Sequence, residues 1–237
     1  RGACDSKGQC VVYAYALSAL ARCGIKLEGD AVIVATADEE SGGVLGAGYM
    51  LEQGYSVGDW AISEGNTYEI INALDGCLHL KITVVGKSAH ASTPEYGIDA
   101  IEKMNRILSK LYAYRDKIVG RHSSVPGLDH PTLIVGTIQG GVKTNVVPGE
   151  CTITLDRRII PEENAAEVES EIMRVVQSAV DEDPDLHVKV ERTMLAESYG
   201  PVPTDSLLIK YLRKNAVDVL GLEPEVKGLP GFGDARF

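Results

Sequence analysis

The sequence lacks the features that would direct it to a membrane or to nucleic acid. It has no apolar run long enough to span a bilayer, so we expect no membrane partner. Basic residues are in deficit, because 23 Lys and Arg stand against 34 Asp and Glu, and the formal charge is −11. Nucleic-acid affinity depends largely on clustered Lys and Arg, so we expect no nucleic-acid partner. A hydrophobic fraction of 44% with 24% charged residues is ordinary for a soluble globular protein.

Cysteine is sparse and poorly placed for cross-linking. The five cysteines are odd in number, widely spaced and without a C-x-x-C pair, so neither a disulfide framework nor a structural zinc knuckle is expected. Reduced thiols favour an intracellular, cytoplasmic protein. The first residues, Arg1-Gly2-Ala3, carry no signal peptide. The cysteines are Cys4, Cys10, Cys23, Cys77 and Cys151.

The first part of the chain has the hydrophobic pattern of an α/β domain. Helices are predicted over 9–21 and 41–53, and short continuous apolar runs occupy 31–37 and 60–63. Continuous apolar runs are typical of strands that are covered on both faces of a parallel sheet. Helices that alternate with buried strands therefore predict a parallel α/β sheet.

Beyond about Asp75 the strands alternate apolar and polar residues, as half-buried strands do. The predicted order is β-α-β-β-α-β, which is that of a ferredoxin-like unit. The α/β pattern returns after Arg192 with a helix that Thr204 or Asp205 caps and Gly221 ends. We therefore predict an α/β domain interrupted by a ferredoxin-like insertion. The predicted domains are 1–75 with 193–237, and 76–192.

Acidic residues follow several of these elements. Asp38, Glu39 and Glu40 come directly after the apolar run at 31–37, and ligand sites in open α/β sheets lie at the carboxyl ends of strands. One carboxylate could bind a metal while its neighbour accepts a proton from bound water. Asp5 and Glu64 occupy comparable positions. Taken alone, each signal is better explained without a metal: by a solvated acidic turn that caps the helix predicted from Ser41 for the three adjacent acids, by helix capping for Asp5 and by an exposed loop for Glu64.

Two further loops contain groups that could contact a substrate. His90 lies among small residues between a strand and a helix, where it could donate to a developing oxyanion. Asn145 and an arginine could bind a substrate carboxylate. Strand parity places Arg158 on the polar face of its strand and Arg157 on the apolar face, so Arg158 is the better candidate. A surface histidine and an ordinary solvated hairpin arginine are the alternatives.

Taken in order, five motifs resemble the zinc-dependent aminoacylase, carboxypeptidase, acetylornithine deacetylase and succinyl-diaminopimelate desuccinylase family, peptidase family M20. The resemblance covers nearly the whole chain. It implies a catalytic α/β domain (1–75 and 193–237) interrupted by a lid and dimerisation domain (76–192). The motifs are RGACDSKG, ADEESGG, GKSAHASTP, GGVKTNVVPG and DRRIIP.

The resemblance implies hydrolysis of the amide bond in N-acyl amino acids by a deacetylase or desuccinylase that uses two zinc ions, with cobalt or manganese as alternatives. A dipeptidase or carboxypeptidase with the same site is a second interpretation. A degenerate member that binds a small ligand without catalysis is a third. The implied partners are a small N-acyl amino acid or short peptide and a second copy of the chain, bound through the lid domain.

The resemblance also implies a role for each candidate residue. Asp5 bridges two zinc ions, Glu40 and Glu64 each bind one of them, and Glu39 is the general base. His90 reaches the active site of the partner subunit and stabilises the tetrahedral intermediate. The residues implied in substrate binding are Asn145, Arg158, Gly231 and Asp234.

The sequence departs from the family pattern in two places. Gly65 follows Glu64 where many members have proline, and Gly233 replaces a usual serine or threonine in the substrate loop. The family's His-x-Asp motif and its final histidine ligand are expected before Arg1 and after Phe237. Carboxylates alone are a poor zinc site. We therefore expect this chain to be an internal fragment that is inactive and binds zinc weakly or not at all.

Overall fold

The computed structural model describes residues 6–63, 65–66 and 68–237. They fall into two compact units, one formed by Arg1–Tyr68 with Gly233–Phe237 and the other by Glu69–Phe232. The domain boundaries predicted near residues 75 and 192 stay a prediction. Within the described residues, no helix is both long enough and apolar enough to cross a membrane.

The first unit is helical where the structure assigns regular elements. The predicted first helix is confirmed as α1 (Lys7–Arg22). The helix predicted over 41–53 is confirmed in part: a π-helical segment (Val44–Gly48) leads into α2 (Tyr49–Glu52). It begins later than predicted because two successive glycines, at positions 42 and 43, have φ values of 104° and 62°, which side-chain-bearing residues rarely adopt.

The two strands predicted in this unit are wrong. Residues 31–37 and 60–63 are assigned no strand, and apolar side chains in them are exposed, with Val32 at 70% and Trp60 at 58%. A continuous apolar run indicates that a segment needs cover, but a strand forms only where another strand supplies hydrogen bonds. In the described part of the chain, no strand pairs with either segment.

The second unit contains the predicted β-α-β-β-α-β order. The four strands form one antiparallel sheet in the order β3-β4-β2-β5, the arrangement of a ferredoxin-like unit. The two helices lie between the first and second strands and between the third and fourth. The elements are β2 (Gly76–Val85), α3 (Ala100–Ile118), β3 (Thr132–Gly140), β4 (Glu150–Ile159), α4 (Ala165–Asp181) and β5 (His187–Ala196).

One face of this sheet and the two helices enclose the main core. Alternate residues of β2 and β4 are buried, and they pack with the apolar stripes of α3 and α4. Asp99 and Asn164 cap the helices by accepting hydrogen bonds from backbone N–H groups of the first turns. Because the apolar residues occupy one face, the polar residues of β2 and β4 lie together on the other. Core members include Leu80, Ile82, Met104, Ile107, Leu111, Ile153, Leu155, Ile172 and Val176.

A second, two-stranded sheet also belongs to this unit. β1 (Glu69–Leu74) pairs in parallel with β6 (Glu225–Leu229), a pair that the sequence pattern does not predict. The preceding helix, α5 (Leu207–Leu220), ends at Gly221 as predicted, with a φ of 68°. Its predicted cap is wrong, because the Ser206 side chain, and not that of residue 204 or 205, accepts the hydrogen bond from the Ile209 N–H at 3.4 Å. Capping requires extended backbone at the residue next to the helix, which the sequence does not locate to a single position.

Candidate functional site

The acidic loop of the first unit divides its three carboxylates between two roles. Asp38 has a φ of 77°, and its Oδ2 accepts a hydrogen bond from the Leu45 N–H at 3.0 Å. The Asp38 carboxylate therefore binds a backbone N–H in the first turn of the helical segment that begins at Val44. Glu39 and Glu40 form the short 3-10 turn that follows, where Glu40 is exposed and Glu39 is half-buried. The turn presents these two carboxylates from adjacent positions.

The end of the chain is tied to this loop. The Thr36 hydroxyl donates to Asp234 Oδ2 at 3.1 Å, and the Arg236 guanidinium donates to the Gly42 carbonyl. Gly43 is also required here, because a Cβ at that position would lie 2.1 Å from Asp234 Oδ1. Asp234, a predicted substrate-binding residue, is therefore brought beside the loop of Glu39 and Glu40. Gly231, the other predicted residue of that segment, lies in the second unit.

The described residues supply only part of the predicted zinc ligands. Asp5 and Glu64 lie outside the described residues. All five histidines, at positions 79, 90, 122, 130 and 187, belong to the second unit. Zinc sites in proteins normally include nitrogen or sulfur donors. The loop that carries Glu40 is therefore suited to contribute carboxylate ligands to a zinc centre, but it does not form one by itself.

His90 and Asn145 are brought together on adjoining loops of the second unit. The Ala91 N–H donates to the Asn145 carbonyl at 3.0 Å, and His90 forms a β-bridge with Val146. The Ser92 N–H donates to His90 Nδ1 at 3.2 Å, so Nδ1 is an acceptor and the neutral ring carries its proton on Nε2. This tautomer is the one that can donate a hydrogen bond from Nε2 to an oxyanion.

Arg158 lies on the polar face of the four-stranded sheet, as strand parity predicts. Its Nε and Nη2 atoms donate to the two oxygens of Asp156 at 3.0 and 3.2 Å, and its guanidinium lies 5.9 Å from the centre of the Phe232 ring. Arg157 is fully buried on the opposite face, with Nη2 2.6 Å from Glu163 Oε1. The bidentate pairing orients the Arg158 side chain and leaves its Nη1 group for a further acceptor.

Three potential metal donors meet on the same polar face, a feature that the sequence analysis missed. Cys77 and His79 are two residues apart on β2, and Asp156 lies opposite His79 on β4. The His79 Nε2 and Cys77 Sγ atoms lie 3.0 and 3.7 Å from Asp156 Oδ2. Burial, together with the nearby Asp156 carboxylate, raises the pKa of the Cys77 thiol to about 12. The spacing of Cys77 and His79 was the available signal, but only the strand register brings Asp156 to them.

Comparison with known proteins gives the relationship of the chain. Residues 72–184 match the peptidase dimerisation domain model of the M20 peptidases. The chain contains the dimerisation domain of the M20 peptidase family. The matched segment contains β2 to α4 and therefore most of the ferredoxin-like unit.

Curated relatives of this chain include two bacterial acetylornithine deacetylases. The protein from Myxococcus xanthus is 34% identical over 241 aligned positions that cover 98% of this chain and 61% of the relative. The protein from Pectobacterium carotovorum is 28% identical and is matched over 95% of this chain and 57% of its own length. The chain thus spans about three-fifths of the length of these relatives.

Solved structures with a similar fold include two bacterial peptidases. A tripeptidase from Staphylococcus aureus aligns with a TM-score of 0.64 and 21% identity, covering 85% of this chain and 50% of the other. The aminopeptidase PepT from Bacillus cereus aligns with a TM-score of 0.62 and 22% identity, covering 85% and 51%. At these identities the likeness shows the fold. Members of the M20 family generally depend on zinc.

Proposed function

We propose that the protein containing this chain is a zinc-dependent hydrolase that removes the acyl group from N-acyl amino acids. The observation that carries the proposal is the match to the Myxococcus xanthus acetylornithine deacetylase, which is 34% identical and extends over 98% of this chain. A match of that extent takes in both the acidic loop of the first unit and the His90, Asn145 and Arg158 positions of the second.

Two adjacent carboxylates support an assignment of roles in the first unit. Glu40, with Asp5 and Glu64, is proposed to bind zinc, and Glu39 is proposed to be the general base. Zinc, when bound, lowers the pKa of a coordinated water and polarises the scissile carbonyl. Glu39 would accept a proton from the attacking water and would later deliver it to the leaving amine. The local structure supports this, since Glu39 and Glu40 occupy adjacent positions in the 3-10 turn that follows Asp38.

The loops of the second unit support the other half of the proposal. His90, as the Nε2–H tautomer, donates to the oxyanion of the tetrahedral intermediate, and it does so in the active site of the partner subunit. Asn145 and Arg158 bind the carboxylate of the amino-acid substrate, with Gly231 and Asp234 in the substrate loop. The dimer is proposed to form through the ferredoxin-like unit by an isologous contact.

The test of the catalytic assignment is Glu39→Gln in the complete protein. The amide is nearly isosteric but does not accept a proton, so kcat is expected to fall roughly 10²–10⁴-fold while the zinc content stays unchanged. Glu52→Gln is the matched control, because this exposed glutamate lies on α2 of the same unit. Loss of zinc from Glu39→Gln would reverse the roles of Glu39 and Glu40, and an unchanged kcat would remove Glu39 from the mechanism.

The substrate class requires a separate measurement. Zinc-loaded protein is assayed with N-acetyl and N-succinyl amino acids, including N-acetylornithine, and with dipeptides and tripeptides. We expect the highest kcat/KM for an N-acyl amino acid. A higher kcat/KM for peptides would make the protein a dipeptidase or carboxypeptidase. Zinc-loaded protein that binds these ligands without hydrolysing any of them would be a non-catalytic member.

A further inference from the structure

The polar face of the four-stranded sheet brings together a thiol, an imidazole and a carboxylate. Among the described residues, Cys77, His79 and Asp156 are the one group of His, Cys, Asp and Glu side chains whose ligand atoms all lie within 4.8 Å of one another. The backbone fixes this arrangement, because Cys77 and His79 alternate on one strand and His79 is the register partner of Asp156 on the next. None of the three is a proposed catalytic residue.

The distances within the group are close to those of a tetrahedral zinc site. With Zn–S of about 2.3 Å and Zn–N and Zn–O of about 2.0–2.1 Å, neighbouring S and O ligands are about 3.6 Å apart and neighbouring N and O ligands about 3.4 Å apart. The corresponding separations here are 3.7 Å for Cys77 Sγ to Asp156 Oδ2 and 3.0 Å for His79 Nε2 to Asp156 Oδ2. The third separation, between the donor atoms of Cys77 and His79, is within 4.8 Å, so rotation of the side chains is sufficient to bring the three donors onto one ion.

The surroundings of the group resemble those of a metal ligand set in two ways. Two of the three donors are reached from solvent, since the side chains of His79 and Asp156 are 38% and 29% exposed, while Cys77 is fully buried. Arg158 donates from Nε to Asp156 Oδ1 at 3.0 Å, which is the kind of outer hydrogen bond that orients a ligating carboxylate. The second contact of Arg158, to Oδ2 at 3.2 Å, is the one that an ion would displace.

We propose that Cys77, His79 and Asp156 bind one divalent transition-metal ion, with zinc as the favoured ion and a water molecule as the fourth ligand. The donor set of one sulfur, one nitrogen and one oxygen excludes magnesium and calcium as preferred ions, because those cations prefer oxygen ligands. The site is formed by β2 and β4 alone and uses none of the carboxylates proposed for catalysis.

The test is a titration of the 237-residue chain with Co²⁺ under anaerobic conditions. Cys4, Cys10 and Cys23 are changed to serine in every sample so that the thiols of the first unit do not contribute to the absorption. We expect one equivalent of Co²⁺ to produce a thiolate-to-cobalt charge-transfer absorption and intense tetrahedral visible bands, and Zn²⁺ to remove both. Absence of the thiolate absorption would overturn the proposal.

Three variants assign the donors. Cys77→Ser is expected to abolish the charge-transfer absorption, whereas Cys151→Ser is expected to retain it and is the matched control, a buried cysteine on the neighbouring strand β4. His79→Gln is expected to lower the Co²⁺ affinity by more than the roughly 10–100-fold caused by losing an outer-shell partner. The His79 side chain is partly exposed, so His79→Gln is expected to fold and tests the metal site if Cys77→Ser does not fold.

The contrary results are equally specific. An absorption that persists in Cys77→Ser, or that disappears in Cys151→Ser, would place the ion elsewhere. An unchanged affinity in His79→Gln would remove the imidazole from the site. Glu40→Gln is expected to leave the absorption unchanged, which separates this site from the zinc ligands of the proposed function.

Discussion

Arg157 and Arg158 are adjacent on β4, yet their guanidinium groups lie on opposite faces of the sheet. Arg157 is fully buried and its Nη2 atom lies 2.6 Å from Glu163 Oε1, whereas Arg158 is one-third exposed and pairs with both oxygens of Asp156. Successive residues of a strand face opposite ways, so one peptide step separates a charge held in the interior from one available to a ligand.

This difference predicts that the same substitution affects substrate binding at position 158 and stability at position 157. In the complete protein, Arg158→Gln is expected to raise the KM for an N-acyl amino acid at least tenfold with little change in Tm, because it removes a proposed contact to the substrate carboxylate. Arg157→Gln is expected to lower the Tm, because it removes one of the two guanidinium groups that pair with the buried Glu163 carboxylate. Steady-state kinetics and thermal unfolding check both variants. An unchanged KM in Arg158→Gln would contradict the substrate-binding role.

Glu163 is predicted to be among the most sensitive positions for folding. Its carboxylate, with a side chain 8% exposed, accepts hydrogen bonds from Arg157 at 2.6 Å and from Arg121 at 2.8 Å. Glu163→Ala leaves the buried Arg157 charge uncompensated, and removal of one partner of a buried pair costs about 3–5 kcal/mol. Urea unfolding measures this loss. Glu182→Ala is the control, because its exposed pair with Lys110 contributes about 0–1 kcal/mol, and equal losses in the two variants would contradict the prediction.

Asp75 is predicted to make the stability of the second unit depend on pH. Burial raises the pKa of its carboxyl from 3.8 to about 6, and its Oδ1 atom is buried without a hydrogen-bond partner among the described residues. Because the folded pKa is raised, the stabilisation is fully present below about pH 4 and is lost as the pH rises through 6. Asp75→Asn does not ionise, so its unfolding free energy relative to the parent is expected to increase by up to about 3 kcal/mol from pH 4 to pH 7.

The control for Asp75 is a buried carboxyl with a shift of the opposite sign. Hydrogen bonding from Lys103 lowers the pKa of Asp183, so its stabilisation is lost only as the pH falls through that lowered value. Asp183→Asn is therefore expected to destabilise the protein by the same amount at pH 4.5 and pH 7, and the difference from the parent closes only in stronger acid. Urea midpoints across this range measure both variants. If the difference in unfolding free energy between Asp75→Asn and the parent did not change with pH, the predicted rise in the pKa of Asp75 would be contradicted.

If His90 acts in the active site of the partner subunit, as proposed, two inactive variants are expected to complement each other. Glu39→Gln and His90→Ala are each expected to be inactive as homodimers. After dissociation and statistical mixing, heterodimers form one site that has both Glu39 and the partner's His90, so about one quarter of the parental activity is expected to return. Activity assays on mixtures of the complete proteins measure this. Mixing without recovery, when native mass spectrometry shows heterodimers, would place His90 in its own subunit's site.

The local sequence pattern determined the architecture of the ferredoxin-like unit. The apolar–polar alternation of β2 and β4 and the helical spacing in α3 and α4 correspond to the buried and exposed faces of the structure. Parity also placed Arg157 inside and Arg158 outside. These predictions succeeded because each face is specified by residues two, three or four positions apart, which a linear sequence displays directly. The motifs also indicated Glu39, Glu40, His90 and Asn145 as candidate site residues, and the roles of these residues stay a prediction.

Tertiary structure decided the features that depend on residues distant in sequence. β1 and β6 pair in parallel, with Glu69 opposite Glu225, although neither segment has a local sequence pattern that indicates the other as its partner. The strands predicted over 31–37 and 60–63 were wrong because an apolar run does not specify which strand it would pair with. The register of β2 on β4 likewise placed Asp156 against His79 and Cys77. Many strand pairings and registers are equally compatible with the local sequence, and the burial of one face against other elements determines which pairing forms.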